Sequence, residues 1–371
     1  MVTKMVLVLA GLLSLIFAVS TANAQEKLRL AWAGFSPTNS PIWVIEDRKL
    51  LQKMGVEPEI IAISASPTVL QALLANEIDA ASISVTTLTS SRLQGADTVM
   101  VVGVVPTFVD HIVSLSSITK VEQLKGKTGA VNRLGSTSDL GLRLALRKLG
   151  VDPEKDVKII PAGGNPERFA ALSKAIVQFT IMPEPFLTQA EKLGFRNLYN
   201  VTDLKIPFWW NGILSREAIV KKNRPLLLKL TRAMVEAIHI IKTEKEYAKA
   251  LFKKNLGVAD PEGLERAYQD YSNVFPEIPY PEPAGVKTML DDLAPRNPKA
   301  AAADPRAFVD MSLVKEVEAV VTMLPLPFLI KCGSTARAPR NIAFKLVLRT
   351  KFHSSSVCSW SFFRIPAPAL L

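Results

Sequence analysis

The chain has 371 residues, 48% of them hydrophobic, with 45 Lys and Arg against 34 Asp and Glu and two cysteines. That length can bury two separate cores, and so few cysteines exclude a disulfide-stapled scaffold. A formal charge of +11 would invite nucleic acid, but residues 319–371 hold seven Lys or Arg and no Asp or Glu, leaving only about +3 on residues 25–318.

From the N-terminus, Lys4, an apolar run from Met5 to Val19 and the small-x-small triplet Ala22-Asn23-Ala24 read as a cleavable signal peptide. The mature start is expected at Gln25. The run is shorter than the roughly 20 residues that span a bilayer, and no cysteine at the cleavage point accepts lipid. Strands are then predicted at Leu28–Ala33, Pro58–Ile63 and Ala80–Ser84. Helices between them start at Ser40-Pro41, with Ser40 as N-cap, and at Ser66-Pro67. Strand, helix, strand alternation predicts parallel pairing with right-handed crossovers. Val99–Val105 and Ile112–Leu115 read as further strands.

At an offset of 99 residues the scheme repeats: Lys27–Ile83 lies over Gly126–Met182 without a gap. About ten of the 57 pairs are identical, among them Arg48-Lys49-Leu50 on Arg147-Lys148-Leu149 and Ala72-Leu73 on Ala171-Leu172. The second unit reads as a strand at Thr128–Val131, a loop to Ser138, a helix to Leu149, a strand at Val157–Ile160, a helix capped by Asn165 and a strand at Gln178–Met182. Two such α/β units predict two lobes with a cleft. After Gly194 the repeat ends. Phe208–Leu214 reads as a returning strand, and Pro225 opens a helix with Leu227, Leu230, Met234, Ile238 and Ile241 on one face. More helices follow near Tyr247–Asn255, Pro261–Asn273 and Pro283–Leu293, with no chemistry visible on them. Past Glu318 the composition changes abruptly. The tail 319–371 reads either as a disordered basic end or as a segment that replaced the natural C-terminus.

In open α/β sheets ligands sit beyond the carboxyl ends of strands. The repeat supplies such points in pairs. The loop Gly34–Asn39 matches Arg133–Ser138; both are rich in hydroxyl or amide groups and present backbone N–H donors at a helix start, suited to an oxyanion. Ser84-Val85-Thr86 matches Pro183-Glu184-Pro185. A carboxylate at Glu184 would repel a plain anion and attract a ligand bearing an amine or ring N–H. Of the adjacent Trp209 and Trp210, one must face the core, and Trp210 is the one expected at the cleft. His111, His239 and His353 are too scattered for a metal cluster or a His-based triad. Ser117–Lys120 and Lys127–Gly129 match S-x-x-K and K-T-G but stand too close together, without S-D-N between them. No metal, cofactor or catalytic role is expected.

The signal peptide, Leu28–Trp32, Ala72–Ala81, Leu124–Thr128 and Met182–Pro185 together resemble the solute-binding proteins of nitrate, sulfonate and taurine importers, a family that also includes the binding proteins for thiamine-pyrimidine precursors. The resemblance runs from Lys27 to Glu318. It implies a type II periplasmic binding protein-like α/β fold: two lobes, a cleft and two crossovers, near 113–118 and 203–210. The implied organisation is 1–24 signal peptide, 25–115 first part of lobe I, 116–205 lobe II, 206–318 return to lobe I and 319–371 tail. It implies ligand contacts at Ser36, Asn39, Ser84, Thr86, Ser136, Thr137 and Glu184. It also implies a periplasmic monomer that binds a small solute, delivers it to an ABC permease and ATPase, and transforms nothing. Pyrimidine synthases share the fold, but their cysteine-rich motif is absent from residues 25–318. The second unit departs from the family pattern at Lys174–Phe179.

Overall fold

The computed structural model describes residues 26–63 and 66–323. The expected signal peptide and Gln25 lie outside the described residues, as does the tail from 324 on. Ten strands are described: β1 Glu26–Ala33, β2 Val56–Ile63, β3 Ala80–Ile83, β4 Thr98–Val105, β5 His111–Ser114, β6 Thr128–Val131, β7 Lys158–Pro161, β8 Phe179–Met182, β9 Arg196–Asn200 and β10 Asn211–Arg216. They form two five-stranded sheets, ordered β2-β1-β3-β10-β4 and β7-β6-β8-β5-β9.

The two sheets have the same plan. In the first, β1 pairs in parallel with β2 and β3. In the second, β6 pairs in parallel with β7 and β8. The fourth place in each sheet is taken by a strand from the other half of the sequence. β5 follows β4 but lies antiparallel to β8 and β9, while β10 follows β9 but lies antiparallel to β3 and β4. Each half therefore gives one strand away and receives one. The chain passes between sheets at residues 106–110 and 201–210. The first passage precedes the expected 113–118, because His111–Ser114 is already paired in the second sheet. The lobe I boundary expected at 115 thus falls after the chain has left the first sheet.

The register of 99 extends to detail. The helices Ser66–Leu74 and Asn165–Ser173 start and end at matching positions, as do β3 and β8. Both units then turn through a left-handed residue, Asn76 at φ 59° and Ala175 at φ 53°. Just beyond, Asp79 accepts from the Arg29 backbone N–H at 2.9 Å, and its carboxylate grips the Arg29 guanidinium at 2.9 and 3.2 Å. At the equivalent places Gln178 Oε1 accepts from the Thr128 N–H at 3.0 Å. The departure from the family pattern at Lys174–Phe179 thus keeps the acceptor and drops only the charge.

Sequence and structure differ at the caps. Asn39, not Ser40, occupies the N-cap of the helix Ser40–Asp47, because Pro37–Asn39 closes a 3-10 turn capped by Ser36. The helix expected after Ser138 begins at Thr137 with Ser136 as its cap, and Gly164, not Asn165, precedes the helix Asn165–Ser173. The last helix, Ser312–Met323, runs through the composition break after Glu318.

The main core wraps the first sheet. In the helix Arg224–Thr243 the five apolar residues expected on one face are all buried. β4 is an edge strand buried along its whole length. Its outer groups are met by the C-terminal segments: Gly103 N–H donates to Pro279 O at 3.0 Å and Asp310 N–H to Met100 O at 2.9 Å, which protects the edge from other chains. β2, the opposite edge, is protected instead by Glu57, Pro58 and Glu59 on a half-exposed strand. A smaller cluster, including Val113, Leu172, Met182 and Leu187, backs the second sheet.

Candidate functional site

A cleft of about 1180 Å³ is lined by residues of both sheets' loops and of both passages between them. From the first sheet come Ser36 in the loop after β1 and Ser84 and Thr86 after β3. From the second come Ser136 and Thr137 after β6 and Glu184 after β8. Trp210 lines it from the second passage, Asn211 from the start of β10, and Asp110 from the first passage. The helices Val85–Leu93 and Thr137–Lys148 direct their first turns at the cleft, where amides without intrahelical partners and the positive dipole end favour an anion.

Seven of the eight expected site residues therefore line one space, and Asn39 does not. Asn39 is 2% exposed, and its side chain is spent on the scaffold. Nδ2 donates to Ala33 O at 3.1 Å and Gly34 O at 2.7 Å, while Oδ1 accepts from Ser82 Oγ at 2.9 Å. It holds the Gly34–Asn39 loop in shape. Ser84 and Thr86 share a hydroxyl hydrogen bond of 2.6 Å. Ser36 Oγ lies 3.5 Å from the Tyr271 hydroxyl. Trp209 is buried against Gly103 and Gly285, where a Cβ would come within 2.4 and 2.7 Å of the indole, and its Nε1 donates to Glu282 O. Trp209 and Trp210 both lie just before β10 rather than in it, and it is Trp210 that lines the cleft.

Glu184 is 1% exposed and already engaged. Its Oε2 accepts from Thr188 N–H at 3.1 Å and Oγ1–H at 2.8 Å. Arg266 Nε lies 2.7 Å from Oε1, close enough for charge attraction but off the hydrogen-bonding line, so Oε1 has no protein hydrogen-bond partner. Burial raises the Glu184 pKa, against the lowering effect of Thr188 and Arg266. Arg266 belongs to the helix Pro261–Val274, which also pairs with Glu191 and, from Asp270, approaches His111 Nε2 at 3.4 Å. Nothing in the sequence pattern marked that helix as part of the site.

The sequence reading also missed Asp110 and Arg168. Asp110 is 1% exposed, and neither carboxylate oxygen has a protein partner. Burial pushes its pKa up to about 7, with Arg168 and His111 pulling the other way. Arg168, 4% exposed on the helix Asn165–Ser173, donates to Gly163 O at 3.2 Å and to Asn165 Oδ1, leaving Nε unpaired. Its own pKa is lowered by burial. An isolated Asp before a strand and an Arg within an amphipathic helix carry no sequence signal of their own; only the fold brings them to one wall.

Two mixed sheets that exchange a strand around a cleft define a type II periplasmic binding protein fold. The chain belongs to the NMT1-like family, which it matches over residues 21–254. Its fold is similar to that of the periplasmic aliphatic sulphonate binding protein SsuA of Escherichia coli, with a TM-score of 0.64 and 23% identity over 77% of this chain and 92% of that one. The alkanesulfonate-binding protein SsuA of Xanthomonas axonopodis pv. citri, bound to MOPS, gives a TM-score of 0.60 and 19% identity over 78% and 97%. The sequence is 22% identical over 295 residues to YtlA of Bacillus subtilis (strain 168), 73% of this chain and 84% of that protein.

Proposed function

We propose that this chain is the periplasmic substrate-binding component of an ABC importer, capturing a small sulfonate-like solute between its lobes. The observation that carries this reading is the pair of helix first turns, Ser84–Thr86 and Ser136–Thr137, facing one cleft from opposite sheets. Two sets of backbone amides and hydroxyls can surround an oxyanion without a metal or a fixed counter-charge, and only with the lobes together. The sulfonate-binding structural neighbours support the solute class. At about 1180 Å³ the cleft exceeds the usual range for a small-ligand pocket, roughly 300–1,000 Å³, which fits an open form that closes on its ligand. The closed form then docks, as a monomer, on a permease driven by an ATPase. A second reading, a pyrimidine-precursor binder, draws support from the half-buried Trp210 ring on the cleft wall.

The test is the melting temperature of the chain with alkanesulfonates, 2-aminoethanesulfonate, nitrate and aminopyrimidines. A ligand at a hundred times its Kd should add about 2.7 kcal/mol of stability. Silence across the sulfonates overturns the proposed solute class. A response confined to aminopyrimidines selects the second reading.

A further inference from the structure

An oxyanion brings only hydrogen-bond acceptors, and the helix first turns and Arg168 Nε are suited to it. The same cleft, however, is lined by acceptors that no protein group satisfies: both oxygens of Asp110, Asn211 Oδ1 and Glu184 Oε1. All three residues are at most 5% exposed. A plain alkanesulfonate enclosed here would leave these atoms unpaired, at about 1–3 kcal/mol for each buried acceptor. The remedy is a donor on the ligand. Glu184 is the weaker candidate to receive it, since Thr188 occupies one oxygen and Arg266 offsets the charge. Asn211 is neutral, and its Nδ2 is held by Thr38 O at 3.0 Å. Asp110 has two open oxygens and stands on the passage between the lobes.

We propose that Asp110 is the specificity-determining residue of the cleft, accepting a hydrogen bond from an N–H group carried by the ligand, so that the preferred solute is an amine-bearing molecule rather than a plain oxyanion. This rests on the cleft being the solute site, and it moves the selecting role from Glu184 to Asp110. Removing the carboxylate costs the amine-bearing ligand its charge-assisted hydrogen bond, whereas a plain sulfonate loses no bond and is freed of a like charge.

The experiment is calorimetric titration of the whole chain and its Asp110→Asn variant at pH 8 with three probes: ethanesulfonate, 2-aminoethanesulfonate and 4-aminopyrimidine. The expected result is tighter binding of 2-aminoethanesulfonate than of ethanesulfonate, with Asp110→Asn weakening the former about tenfold or more and the latter less than about twofold. Equal binding of both sulfonates, unchanged in the variant, overturns the inference and leaves the sulfonate reading intact. Equal loss of both also overturns it, because ethanesulfonate has no N–H whose bond to Asp110 could be lost. If only 4-aminopyrimidine binds, and needs Asp110, the sulfonate reading falls and the inference stands. If none of the three binds, both fall. Melting curves of the variant confirm that it is folded, so loss of binding reports the site.

Discussion

Asp110 carries a cost in the unliganded protein. Its folded pKa of about 7 stands above the unfolded value of 3.8, the reverse of a salt-bridged carboxylate. Below about pH 4 both states hold the proton and the group is neutral to stability. As pH rises toward 7 the unfolded chain releases the proton first, so stability is lost across that window and stays lost above it. Asp110→Asn should therefore unfold like the wild type at pH 4 and be more stable at pH 8, by up to about 4 kcal/mol. Denaturant curves at the two pH values check this, and a pH-independent difference would contradict it. Burial sets the window, and the neighbouring Arg168 and His111 narrow it by pulling the pKa down. Residues of this kind were hidden from sequence reading because their chemistry is positional. Serines and threonines at strand ends could be found from the repeat, whereas an unpaired carboxylate is visible only when its surroundings are known. Asn39 shows the converse, a polar loop residue whose whole hydrogen-bonding capacity is used to shape the loop.

The duplicated elements form a natural experiment in which one geometry is reached by two sequences. Asp79 and Gln178 both accept a backbone N–H at the mouth of the third strand of their unit. If the shared acceptor matters most, Asp79→Asn should cost under about 1 kcal/mol, since it gives up an ion pair to a partly exposed Arg29. Asp79→Ala, which leaves a buried N–H unpaired, should cost about 2–3 kcal/mol. Similar losses in urea unfolding for the two variants would assign the stability to the ion pair instead. Asn76 and Ala175 make the second comparison. Asn tolerates a left-handed backbone and Ala does not, and residue 175 is exposed, so Ala175→Asn should raise stability by about 0.5 kcal/mol. A lower melting temperature would show that the turn is not strained. Strands β1 to β3 and β6 to β8 were legible within a few residues because their apolar runs and turn residues recur, and β4 and β5 from their own apolar runs. β9 and the helix Ser312–Met323 were not. β9 reads as Arg196-Asn197-Leu198-Tyr199-Asn200, without a periodic pattern, and the helix lies beyond the repeat and crosses the composition break after Glu318.

At the scale of the molecule, neither half of the sequence contains a complete sheet. The first needs β10, and its β4 edge needs the C-terminal segments around Pro279 and Asp310. A fragment of residues 26–110 should accordingly show no cooperative unfolding transition by circular dichroism. A sharp transition in that fragment would mean that β10 is dispensable. The alternation of strands and helices made the two α/β lobes legible, but not the exchange. β5 and β10 look like any other short apolar run, and which sheet receives them is decided by pairing partners far along the chain.

The exchange also has a mechanical consequence. Two bodies tethered by a single strand of chain can twist, bend and slide; tethered by two, through 106–110 and 201–210, they keep essentially one easy rotation, about the line joining the tethers. Asp110 lies on one tether, and Trp210 on the other. A solute that touches both is therefore gripping the axle rather than the doors, and small differences in its shape at that point translate into large differences in the angle at which the lobes come to rest.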